Sequence, residues 1–111
     1  MTHRIDRGNL FRGTKQPAEG PEVLEILCKS AGGFVERIVS SGQATAAGQW
    51  YDQETDEWVV VLQGDATITT GDEVIPLGPG DWIYLPRHLK HRVAQTSIEP
   101  ACVWLAIHFA R

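Results

Sequence analysis

The stretch Glu57-Trp58-Val59-Val60-Val61-Leu62-Gln63-Gly64 sets a carboxylate at the start of a β-branched run and a turn glycine at its end. A second stretch answers it. Gly80-Asp81-Trp82-Ile83-Tyr84-Leu85-Pro86 is a corner, a short apolar run and a proline stop, and His88 and His91 follow. If the sheet folds over on itself, the acid of one strand and the imidazole after the other point into one pocket. The two stretches therefore predict a β-barrel with a small polar site inside.

The flanking sequence fits a barrel. Residues 22–28 and 34–40 are β-like and are joined by Ser30-Ala31-Gly32-Gly33, which predicts a hairpin. Further runs fall at 58–62, 65–69, 73–77, 82–85, 91–96 and 101–109. Gly64-Asp65 and Gly71-Asp72 are expected to turn through left-handed glycines. About eight short runs, spaced roughly 8–12 residues apart, indicate an all-β sandwich or closed barrel. No stretch combines helical periodicity with a cap. Residues 1–20, with Gly8, Gly13, Pro17 and Gly20, read as an N-terminal arm that Leu10-Phe11 could anchor; residues 21–111 read as a single barrel domain.

Composition narrows the function classes. The chain of 111 residues is one domain with enough length for a core of its own. A net charge of -4 argues against nucleic acid and anionic membranes as partners. No apolar run approaches the roughly 18 residues of a membrane span, and Met1–Arg7 lacks the apolar core of a signal peptide. The expectation is a cytoplasmic protein. Cys28 and Cys102 lack metal spacing and read as two reduced, partly buried thiols.

The two stretches resemble the motifs of the cupin superfamily, small jelly-roll barrels that hold a metal or ligand inside. The first cupin motif runs roughly Gly-x5-His-x-His-x3–4-Glu-x6-Gly, and Glu57 and Gly64 match its second half. The second runs roughly Gly-x5-Pro-x-Gly-x2-His-x3-Asn, and Gly80, Pro86 and His91 match it. His88 stands where the second glycine belongs and Gln95 where the asparagine belongs. The resemblance covers about residues 34–109 and implies a double-stranded β-helix. It also shows a departure: the His-x-His pair is missing, and Trp50-Tyr51-Asp52-Gln53 occupies its place. One spacing puts Tyr51 and Gln53 in the two slots; the other puts Trp50 and Asp52 there.

The resemblance implies a divalent metal ion, such as Fe, Mn, Zn or Ni. Two imidazoles and a carboxylate with open positions suit such an ion. Glu57 and His91 are the first candidate ligands, His88 the third, and Gln53 or Asp52 would complete the set. Tyr51 and Asp52 are the candidate acid/base residues. The bland alternative is a buried hydrogen bond between Glu57 and His91 in a decayed site. His3 is expected to be solvated. His108 lies opposite Leu105, Ile107 and Phe109 by strand parity, and ranks last among the ligand candidates. The acidic cluster Asp52, Glu54, Asp56, Glu57 and the basic cluster Arg87, Lys90, Arg92 read as rim charges. Arg87 or Lys90 could hold a substrate carboxylate there.

Three readings follow. One is a metal-dependent oxygenase, isomerase or lyase acting on a small molecule. Another is a non-catalytic module for a sugar or small carboxylate, using Trp50 and Tyr51 as an aromatic wall. The third is an assembly role, with Ile38-Val39 and Val103–Phe109 as candidate pairing edges and a homodimer as the expected state.

Overall fold

The computed structural model describes residues 5–15 and 20–110; His3 lies outside them. Eight strands follow one another: β1 Val23–Ser30, β2 Gly33–Ser40, β3 Asp56–Gln63, β4 Ala66–Thr70, β5 Val74–Leu77, β6 Trp82–Leu85, β7 His91–Thr96 and β8 Cys102–Phe109. They form a five-stranded sheet, ordered β1-β2-β8-β3-β6, and a three-stranded sheet, ordered β5-β4-β7. Every pairing between strands is antiparallel. This is the all-β jelly roll expected from the sequence.

Alternation along the strands builds the interior. Cys102, Trp104 and Ala106 of β8, Val59 and Val61 of β3, and Leu85 of β6 turn inward from the larger sheet. Ala66, Ile68 and Leu77 meet them from the smaller one. Together they form one buried cluster, and its burial is the main force closing the two sheets.

Gly64 ends β3 with φ 76°, a conformation that suits glycine because it lacks a Cβ. Gly71 departs from expectation, since it is absent from the positive-φ residues. There the Thr70 hydroxyl accepts the amides of Asp72 and Glu73, and this side-chain turn does the work assigned to a left-handed glycine. The arm is held by Arg37, whose guanidinium donates to the carbonyls of Leu10 and Arg12. Phe11 is exposed.

Two further expectations change. Ile38-Val39 and Val103–Phe109 are not pairing edges, because β2 and β8 pair with each other inside the sheet. The edge strand beside β2 is β1, and all eight of its residues are exposed. Cys28 is therefore exposed rather than partly buried, whereas Cys102 is buried; both thiols are free.

Candidate functional site: a carboxylate-walled barrel cavity

Register on the inner face of the larger sheet brings three polar side chains together, and a fourth meets them from the smaller sheet. Glu57 of β3 lies directly across from His108 of β8. Phe34 of β2 pairs with His108 on its other side, and their rings stack at 4.3 Å. Glu36, two residues along β2, brings its Oε1 to 3.0 Å from His108 Nε2. His91 comes from the opposite sheet as the first residue of β7.

The hydrogen-bond partners fix the imidazole protons. His91 Nδ1 lies 2.9 Å from the carbonyl of Leu89. A carbonyl only accepts, so Nδ1 carries a hydrogen and Nε2 is the nitrogen that faces Glu57. His108 Nε2 faces the Glu36 carboxylate and donates to it. Glu57 lies between the two rings: Oε1 is 4.0 Å from His91 Nε2 and Oε2 is 3.8 Å from His108 Nε2. Both separations are within ion-pair reach and beyond hydrogen-bond reach. Glu57 is only 7% exposed, and no described residue donates a hydrogen bond to its carboxylate.

Burial pushes the Glu57 carboxyl above its ordinary value; His108 and His91 pull it back only in part, and Glu36 adds to the rise. Burial alone would lower His108. The hydrogen bond to Glu36 and the charges of Glu57 and Glu36 outweigh it, so this imidazole is raised. Tyr51 is raised by burial and then by Glu22, which keeps the phenol protonated at neutral pH.

Except for His108, these groups border a cavity of about 130 Å³. Ile38, Val59, Ile68, Leu85, Val93 and Trp104 make its apolar wall. Its polar side is Glu22, Glu36, Tyr51, Gln53, Glu57 and His91. A bridge between Tyr51 and His91, with amide-to-carbonyl distances of 2.7 and 3.1 Å, ties the 51–53 segment to β7. The Tyr51 and His91 rings stack at 5.5 Å.

The bridge distinguishes the two spacings left open by the sequence. Tyr51 and Gln53 line the cavity; Trp50 and Asp52 do not. Asp52 instead faces His88, with Oδ1 2.8 Å from Nδ1, and both side chains are more than 40% exposed. The structure thus brings Tyr51, Gln53, Glu57 and His91 together and leaves Asp52 and His88 on the rim. His88 has φ 63°, so it adopts the left-handed backbone at the position where the second motif has glycine. Arg92 of the basic cluster is occupied elsewhere, donating to the carbonyl of Thr45 and lying over the Trp50 ring. Sequence reading did not single out Glu36; it set His108 on the face away from Leu105, Ile107 and Phe109, and the structure puts it there, bonded to Glu36. The available signal was parity: Cys102, Trp104, Ala106 and His108 form one alternating set.

A cupin domain family model matches residues 38–108. The chain belongs to the cupin family. A crystal structure of a proposed mannose-6-phosphate isomerase from Ralstonia eutropha JMP134 is 41% identical, covering 95% of this chain and 98% of that one with a TM-score of 0.87. A cupin superfamily protein from Desulfitobacterium hafniense DCB-2 is 20% identical, with 97% and 94% covered and a TM-score of 0.77. An RmlC-like cupin with a double-stranded β-helix fold from Methanocaldococcus jannaschii is 15% identical, with 99% and 93% covered and a TM-score of 0.73. No curated protein matches the chain.

The cupin likeness implies a metal, and the donor chemistry tests it. Of the four residues at the cupin ligand positions, Glu57 and His91 are strong donors. Tyr51 is a protonated phenol and Gln53 a neutral amide, both weak ligands for a transition ion. Among the described residues, no three His, Cys, Asp or Glu side chains are placed to share an ion. His108 is the nearest replacement, but it is bonded to Glu36. This arrangement does not fit a resident metal.

Proposed function

We propose that this cupin binds a compact small molecule in the barrel cavity, with Glu57 and His91 as its polar anchor. The observation that carries the reading is the buried Glu57 carboxylate, which borders an open cavity and has no hydrogen-bond donor among the described residues. Buried acceptors are nearly always paired, so a ligand donor at this point would complete the site. The apolar wall supplies contact area, and the volume is well below the roughly 300–1,000 Å³ of drug-sized pockets. The occupant is therefore small, or is one end of a larger molecule that protrudes through the mouth. Tyr51 and Gln53 flank the anchor and give direction to binding.

The test is ligand-induced thermal stabilisation across a panel of small polar compounds, repeated in Ile68→Phe, which fills the cavity. Stabilisation that disappears in Ile68→Phe supports the reading; stabilisation unchanged by the substitution sinks it.

A second reading, sugar-phosphate isomerisation, draws on the name of the Ralstonia relative and is tested by assaying mannose 6-phosphate directly. The metal-dependent reading has its own check. Elemental analysis after supplying Fe, Mn, Zn and Ni is expected to find less than one ion per chain. Stoichiometric retention that His91→Ala abolishes would favour a family-type metal centre.

A further inference from the structure

We propose that the cavity selects a protonated amine on a compact apolar body and rejects anions, an inference that rests on the small-molecule reading above. Among the described residues three carboxylates, Glu22, Glu36 and Glu57, line the cavity, and no lysine or arginine does. The nearby guanidiniums belong to the outside. Arg37, between inward-facing Glu36 and Ile38, turns to Glu25 with Nε 3.2 Å from Oε1. Arg92, between His91 and Val93, is held by Thr45.

The carboxylates differ in what they still need. Glu22 accepts the Ser40 hydroxyl at 2.8 Å, and Glu36 is bonded to His108. Glu57, more than nine-tenths buried and lining the cavity, has two imidazole nitrogens at 4.0 and 3.8 Å and no hydrogen bond among the described residues. An ammonium group supplies both the missing donor and the opposite charge. Tyr51 and Trp104 line the same space, and aromatic rings attract cations. His108 offsets only part of the negative charge. A carboxylate or phosphate ligand would instead face like charges, which strongly penalise association.

The experiment compares cyclohexylamine, cyclohexanol, cyclohexanecarboxylate and mannose 6-phosphate by titration calorimetry at neutral pH. The amine is expected to bind tightest, and the carboxylate weaker than the amine by roughly a hundredfold or more. Glu57→Gln should weaken the amine at least about tenfold and leave the alcohol nearly unchanged. If that variant does not fold, Glu36→Gln, whose far-UV spectrum reports folding, carries the same comparison. Equal or tighter binding of the carboxylate or mannose 6-phosphate overturns the charge selection and leaves the cavity reading standing. Failure of all four probes to bind counts against both.

Discussion

His88 holds a backbone conformation that side chains with a Cβ rarely adopt, φ 63°, and two contacts keep it there. Its amide donates to the Gln53 carbonyl at 2.8 Å, and its ring meets Asp52. The left-handed region costs a non-glycine residue roughly 1–2 kcal/mol, whereas an exposed pair such as His88 with Asp52 returns about 0–1 kcal/mol. His88→Gly is therefore expected to stabilise the chain by up to about 1 kcal/mol, read as a higher urea midpoint. A lower midpoint would mean that the Asp52 contact outweighs the strain. His108 makes a second prediction at this scale. Its folded-state pKa is raised above the ordinary 6.5, so its stabilising contribution is complete below pH 6.5 and is lost as pH rises through the raised value. Urea midpoints should fall as pH rises above 6.5 through that raised value, and Glu36→Gln should flatten the fall, because it removes the hydrogen bond that raises the imidazole.

At the scale of elements, the site depends on register. The pairing of β3 with β8 sets Glu57 across from His108, and slippage of β3 by one residue would send Glu57 to the outer face, away from His108. Gly64 helps to hold that register. A Cβ built there would crowd the Ser97 hydroxyl, lie 2.8 Å from the Ala101 carbonyl and have to accept φ 76°. Gly64→Ala is expected to cost about 1–3 kcal/mol and to loosen the β3–β4 turn, which chemical denaturation would measure. The clasp between residues 51–53 and β7 matters in the same way. It decides which of four consecutive polar and aromatic residues enter the cavity, through backbone hydrogen bonds that no side-chain pattern announces.

For the whole molecule, β1 is the exposed feature with the clearest consequence. It is an outer strand whose Leu24 and Ile26 are 57% and 55% exposed, and an unpaired apolar edge invites association. We propose a homodimer that covers β1. Sedimentation at micromolar concentration should give the mass of two chains, and Ile26→Lys should shift it toward one. A single-chain mass for the parent protein would refute the dimer. No helix among the described residues is long and apolar enough to cross a membrane.

The sequence by itself determined the strands, their order and the pairing of an acid with an imidazole across a barrel. Period-two alternation, turn residues and the proline at 86 are local signals, and local signals survive in one dimension. It also left Tyr51 with Gln53 as one of two possible fillings of the vacant ligand slots. Only the tertiary structure decided between them, set His88 against Asp52 on the rim, and joined Glu36 and His108 to Glu57. Glu36 and His108 are separated by 72 residues; strand parity sets the face each occupies, but no local spacing marks them as partners. Their meeting depends on β2 and β8 becoming neighbours, which long-range closure of the barrel settles.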